Sequence, residues 1–441
     1  MHLNMFFCPC GHHEAAWRHP DSEPHRLMDI DYYISFARQV EAARFDAIFF
    51  ADSVDLPKTV RFASRLQIEP LTWLSAIAAT TSRVGLIATA STTYSEPYNL
   101  ARLFASLDHL SKGRAGWNIV TTQHVEAAGN FGLPAHPPHS DRYRRATEFI
   151  DVVSKLWDSW EDEALVVDSV SGMFADTDRI HGIEYSGEFF SVAGPLNTPR
   201  TPQGRPVYVQ AGSSDDGRAF AARHAEAVFT AQPHFGGAKA FYADIKRLAA
   251  RAGRSPDEVL ILPGMSPVIG STEAEAKARQ RELDELIQPE HMLGTWNKTL
   301  GVELTAADLD RPFPVDSLDM TGERGASGRV QVIVDLVRRE RLTARQLMQR
   351  LAHARGHWAL VGTPEQVADN IELWFKDGAA DGFNVMPHQL PTDFALFAEF
   401  VLPILQARGL FRTEYSGTTL REHYGLARPR SRYSVEPVLV D

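Results

Sequence analysis

Short apolar runs alternate with longer stretches of helical periodicity along most of the 441 residues. The apolar runs fall at 3–7, 47–51, 84–90, 115–120, 206–211, 227–231, 259–269 and 382–386. They are mostly continuous and rich in Val, Ile and Phe, as in strands of a parallel sheet buried on both faces. Between them, Leu100, Leu103, Phe104, Leu107 and Leu110 form one apolar stripe after Pro97, ended by Lys112-Gly113. A second stripe, Ala146, Phe149, Ile150, Val153, Trp157 and Trp160, follows Ser140-Asp141 as an expected N-cap. Eight such βα units predict an α/β fold, a TIM (β/α)8 barrel. An open doubly wound sheet is the second choice, weakened because no Gly-x-Gly-x-x-Gly follows the first run.

The expected organisation is one barrel over 1–411 with insertions at about 162–205 and 288–360, then a tail at 412–441. Insertions of that length often serve as covers or binding elements. Gly325, Gly328 and Gly356 offer flexible points in the second, whose alternative role is a fixed oligomer contact. The tail, rich in Arg, Tyr and Pro, reads equally as an arm on another subunit or as disorder. A net charge of −11 argues against a nucleic-acid partner, which needs a basic footprint. Residues 394–410 are interrupted by Glu399, Pro403, Gln406 and Arg408, so a buried helix is expected there and no membrane span. Met1 to Phe7 enters a strand directly with no basic leader, which points to the cytoplasm. The two cysteines, Cys8 and Cys10, are poorly placed for a disulfide and too few for zinc, leaving packing or pocket lining.

An α/β barrel places its chemistry at the carboxyl ends of its strands. There the sequence supplies Cys8 to His13 with Trp17 and Arg18, then Asp52, Thr89 and Ser91, then Asn118, Thr121 and Thr122, and finally Ser213 and Ser214. Imidazoles, hydroxyls, amides and one carboxylate suit a polar heterocycle and a phosphate better than metal-assisted hydrolysis. Gly212 to Gly217 precedes a helix, where free N–H groups attract phosphate. His139 and Tyr143 share another helix start.

The block Gly113-Arg114-Ala115-Gly116-Trp117-Asn118-Ile119-Val120-Thr121-Thr122 resembles a signature of the bacterial luciferase-like flavin-dependent monooxygenases. The similarity is to the branch of the nitrilotriacetate and dibenzothiophene-sulfone enzymes. It extends through Gly11-His12-His13, Ala16-Trp17-Arg18, Glu69-Pro70, Phe104 to Leu110, Gly356-His357, Gly362 to Glu365 and Asp381 to Asn384. The resemblance implies reduced FMN as co-substrate, delivered by a separate NAD(P)H:flavin reductase. It implies insertion of one oxygen atom from O2 into a small organic substrate through a flavin C4a-hydroperoxide. Flavin contacts are then expected from Asp52, Thr89 or Ser91, Asn118, His139, Tyr143, Ser213 and Ser214. His12, His13 and His139 are proton-donor candidates, since imidazole titrates near neutrality. Trp17, Arg18 and His357 are substrate-side candidates, and a homodimer or homotetramer is expected. Two rivals stand beside this: a flavin- or deazaflavin-binding oxidoreductase without oxygenation, and a metal-dependent hydrolase using His12 and His13. No metal is expected.

Overall fold

A computed structural model describes residues 1–56, 58–64, 66, 68–318, 328–354 and 356–433. Nine parallel strands order the chain: β1 (His2–Phe7), β2 (Ala47–Phe50), β3 (Gly85–Ser91), β4 (Ala115–Val120), β5 (Val207–Gln210), β6 (Ala227–Thr230), β7 (Leu260–Ile269), β8 (Trp358–Gly362) and β9 (Gly382–Val385). The fold class is the expected eight-stranded (β/α)8 barrel, with β8 as an additional strand on β7. All eight expected runs are strands; β8, inside the stretch read as an insertion, is the addition.

The chain divides into two compact units. The first holds Met1–Tyr32, Leu56–Ile68 and Ala211–Thr413. In it β1 pairs with β9, and β9 with the middle of β7. The ten residues of β7 are all buried; its start pairs with β6 and its end with β8. Burial on both faces explains why these strands read as unbroken apolar runs. The register partners Asn4 and Asn384 are buried polar exceptions held by hydrogen bonds: Asn4 Nδ2 donates to Asn384 Oδ1 (3.2 Å), and Asn384 Nδ2 to the Leu262 carbonyl (2.8 Å). Residues of 288–360 build a core of their own from Met292, Leu293, Trp296, Phe313, Val334 and Leu347. Gly325 lies outside the described residues.

The second unit holds Tyr33–Asp55, Glu69–Gln210 and Glu414–Asp441, with β2, β3, β4 and β5 paired in that order. Glu69 starts the helix Pro70–Ala78 by accepting the N–H groups of Leu71 (2.9 Å) and Thr72 (2.8 Å). One expectation is corrected: the helix after 138 begins at His139 with Pro138 as N-cap, so Ser140 lies inside it and caps nothing. Residues 414–433 fold onto this unit. Tyr415 donates to the Phe45 carbonyl (2.7 Å), His423 to that of Arg83 (2.7 Å), and Tyr433 stacks on His181 at 3.8 Å.

Candidate active site

The block 113–122 divides between scaffold and chemistry. Arg114 is buried, and its guanidinium donates to the carbonyls of Ser111 (2.7 Å), Val84 (2.7 Å), Ala78 and Thr81 (both 3.0 Å). Gly116 is required by close approach: a Cβ there would stand 2.9 Å from Ile87 Cγ1 and 3.1 Å from a Leu420 methyl. Trp117 fills the space between Phe104, Phe149, Trp157 and Tyr208, with ring centroids 5.7 to 6.3 Å away. These residues build the strand's surroundings; Asn118 is left for chemistry.

Asn118 is buried at the carboxyl end of β4. Its Nδ2 donates to Thr89 Oγ1 (2.8 Å), and Thr89 donates in turn to the Phe50 carbonyl (2.7 Å). This chain fixes the amide orientation and leaves Asn118 Oδ1 buried with no hydrogen-bond partner among the described residues. An unmet acceptor of this kind costs about 1–3 kcal/mol unless a ligand satisfies it. Ser91 is also buried, and its oxygen accepts from Thr122 Oγ1 (2.7 Å) and the N–H groups of Thr93 (3.1 Å) and Tyr94 (3.4 Å). Asp52 accepts the Ser53 N–H (2.9 Å). His139 and Tyr143, half-buried, lie one turn apart with centroids 4.9 Å apart. The sequence reading passed over Arg142, which lies between them. It donates to the Thr121 carbonyl (3.2 Å) and to that of Thr122, tying this helix start to the end of β4. Also passed over is Tyr94, bonded to His136 Nδ1 (2.7 Å) and stacked on Phe131.

In the first unit the paired histidines diverge. His12 Nε2 donates to the Phe6 carbonyl (2.7 Å). His13 Nδ1 accepts the Ala15 N–H (3.1 Å), so its proton sits on Nε2 and faces Asp284 Oδ1 (3.4 Å). His353 Nε2 donates to the same oxygen at 2.6 Å. The three ligand-type atoms lie within 4.8 Å of one another, a spacing that a divalent cation fits. The hydrogen bonds argue otherwise: a metal-bound imidazole donates from its second nitrogen, whereas that of His13 already accepts a backbone N–H. Burial pushes the Asp284 carboxyl up, but the bonds from His13 and His353 hold it below its ordinary pKa. Burial lowers the pKa of His13. It lowers that of His388 further, helped by His353 and His13, whose rings lie 5.6 and 6.1 Å away. His388 Nδ1 meets Ser266 Oγ (3.2 Å), and its Nε2 is buried without a partner among the described residues. Asp284, His353 and His388 were missed by the sequence reading. The signal for His388 was present: it lies three residues beyond Val385, the end of the last barrel strand.

The remaining candidates also belong to this unit. Ser214 caps the helix Asp215–His224, accepting the Gly217 N–H (3.2 Å), so that helix starts two residues before Gly217. Ser213 is exposed. Trp17 Nε1 donates to the Phe62 carbonyl (2.9 Å). Arg18 is exposed, donates to the Leu286 carbonyl and forms no ion pair among the described residues. His357 stacks flat on Phe229 (4.9 Å, 5°) and borders a small cavity with Pro233, Leu336 and Leu351. Gly264 makes room for it, since a Cβ there would fall 2.3 Å from His357 Nδ1. Cys8 and Cys10 are both free, and burial pushes the Cys10 thiol up to about 12.

This barrel, with its polar strand ends, belongs to the luciferase-like monooxygenase family, whose model matches residues 5–381. More particularly, the chain is 47% identical to N-acetyl-S-(2-succino)cysteine monooxygenase of Bacillus subtilis (strain 168), over 98% of both chains. It is also 47% identical to nitrilotriacetate monooxygenase component A of Aminobacter aminovorans, over 98% of this chain and 97% of that one. A solved EDTA monooxygenase from Chelativorans sp. BNC1 superposes with a TM-score of 0.83 at 35% identity, covering 97% of this chain and 98% of its own. The chain is a flavin-dependent monooxygenase. No helix of the described residues is long and apolar enough to cross a membrane.

Proposed function

We propose that this chain is the oxygenase of a two-component system, using FMNH2 supplied by a separate NAD(P)H:flavin reductase to insert one oxygen atom from O2 into a small carboxylated substrate. The observation that carries the reading is the braced, unpartnered Asn118 Oδ1, an acceptor suited to an N–H of a reduced flavin ring. Bound reduced FMN supplies the activation of dioxygen. Asn118 holds the ring, Thr89 keeps the Asn118 amide in place, and Ser91, Asp52 and Tyr143 are the further contacts proposed. Ser213 and Ser214 are proposed for the phosphate, whose single charged group favours FMN over FAD. His139 is the proposed proton donor: its ring is half-buried, while His12 and His13 each commit Nε2 to a protein acceptor. The substrate class rests on the names of the three relatives and on Arg18, a cation with no acid beside it among the described residues. Trp17 and His357 are proposed beside it on the substrate side.

The test supplies FMN, NADH, an unrelated flavin reductase and isotopically labelled dioxygen, with aminopolycarboxylates, succinylated thiols, an aryl sulfone and an alkane as substrates. Label in the product from a carboxylated substrate, dependent on the reductase, supports the proposal. Substrate turnover without label overturns oxygenation, and rapid NADH oxidation by the chain alone overturns the two-component arrangement.

A further inference from the structure

The loops that follow β2 and β4 in the second unit carry a side-chain cluster outside the residues proposed so far for flavin and substrate. Asp55 Oδ1 lies 2.7 Å from His124 Nδ1 and accepts the Ser53 hydroxyl (2.8 Å). Ser53 Oγ also lies 3.3 Å from the same ring nitrogen. Asn130 Nδ2 donates to the Val54 carbonyl (3.0 Å), joining the two loops at a second point. The Asp55 side chain is 9% exposed and that of His124 52%. A carboxylate withdrawn from water therefore faces one edge of the ring, while the other edge stays open.

This arrangement fixes the ring chemically. An ionised carboxylate only accepts, so the imidazole keeps a proton on Nδ1. Its Nε2 has no hydrogen-bond partner among the described residues, and becomes the ring position that takes up or releases a proton. In contrast, Nε2 of His12, His13 and His353 each faces a protein oxygen. The pair also stands where a barrel keeps its chemistry. His124 follows Thr122 by two residues, and the Thr122 hydroxyl donates to Ser91 (2.7 Å); Asp55 follows Asp52 by three. The partners are 69 residues apart, which hid them from the sequence.

We propose that His124 is a proton-transferring catalytic residue of the oxygenation and that Asp55 positions its ring. The inference rests on the two-component reading above, in which reduced flavin supplies two electrons. One atom of O2 enters the product and the other leaves as water, whose two O–H bonds need protons. His139 is the donor proposed for one. For the other, the Nε2–H bond of the His124 imidazolium breaks as the O–H bond forms. The ring is left neutral with Nδ1–H still on Asp55, and solvent at its exposed edge returns the proton. Substrate, O2 and FMNH2 are consumed, oxygenated product, water and FMN are formed, and His124 ends unchanged.

Nitrogen NMR of the flavin-free full chain with labelled histidine reads the tautomer, and the labelled-dioxygen assay reads the product. The neutral His124 ring should carry its proton on Nδ1 in the wild type and on Nε2 in Asp55→Asn, whose amide can donate to Nδ1. His124→Ala and Asp55→Asn should each form labelled product about a hundredfold more slowly, with circular dichroism and FMN affinity unchanged. Free imidazole should restore rate to His124→Ala and not to Asp55→Asn, a difference that a purely structural loop clip would not give. A wild-type ring protonated on Nε2 when neutral overturns the proposal. So does a His124→Ala protein that works at the wild-type rate, or one that imidazole fails to restore. A wild type that yields no labelled product from any substrate sinks the two-component reading instead, and the tautomer then still decides the Asp55–His124 pair.

Discussion

Replacing His388 with glutamine asks whether the buried imidazoles of the first unit make this fold acid-sensitive. Burial, with His353 and His13 nearby, places the folded pKa of His388 well below its ordinary 6.5. The folded state therefore keeps the ring neutral while the unfolded chain takes up a proton below about pH 6.5. A histidine depressed in this way contributes stability that is present above 6.5 and lost as pH falls. Each pH unit below that point costs about 1.4 kcal/mol until the folded pKa is reached. Between about pH 7.5 and pH 5.5 the linkage integrates to about 1.4 kcal/mol for His388 alone. Urea unfolding of both proteins at the two pH values supplies the four free energies. His13, also depressed, titrates in both proteins and cancels to first order. The wild type should lose about 1.4 kcal/mol more than His388→Gln over this interval. Parallel losses in the two proteins would refute the reasoning, because they would mean that His388 is already protonated in the native state or is solvated there.

Asn118→Leu removes the open acceptor and should weaken reduced FMN by about 1.5–3 kcal/mol, read by anaerobic titration; unchanged affinity would detach Asn118 from the flavin. Ser214→Ala should lower stability by about 1 kcal/mol through the lost helix cap, whereas Ser213→Ala should leave the melting temperature alone, and both should weaken FMN if the phosphate binds there. Gly264→Ala forces a methyl against His357 and should cost about 1–3 kcal/mol in a thermal melt, most of it recovered in the Gly264→Ala/His357→Ala double variant. Arg18→Met should raise KM for a carboxylated substrate while leaving kcat nearly unchanged; an unaltered KM would remove Arg18 from substrate binding.

The barrel was legible in the sequence because strands buried on both faces read as continuous apolar runs. Strand β8 escaped because Trp358–Gly362 is a short strand, buried only at alternate positions, inside a stretch too long for a simple connection. Asn118 could be read from its place at a strand end beside Trp117, whose bulk marks a packed core. Its bracing by Thr89 could not, since the bond crosses 29 residues between two strands. The Asp284 cluster was hidden for the same reason. His13, Asp284 and His353 lie on a loop and two helices up to 340 residues apart in sequence, and no local pattern distinguishes a helical histidine that meets a carboxylate from one that meets water.

The bond between Asp284 and His353 has a consequence for how such chains diversify. These two residues bracket the segment 288–352, which carries an apolar core of its own. A stretch that packs on itself and whose flanks are pinned together at 2.6 Å behaves as a cassette. Its interior can be rewritten, or the whole exchanged with a relative's, while the residues at both borders stay in register. Grafts cut inside the Asp284–His353 pair should fold as chimaeras, whereas grafts that separate the pair leave the half-buried Asp284 carboxylate with the longer bond from His13 alone and should be less stable.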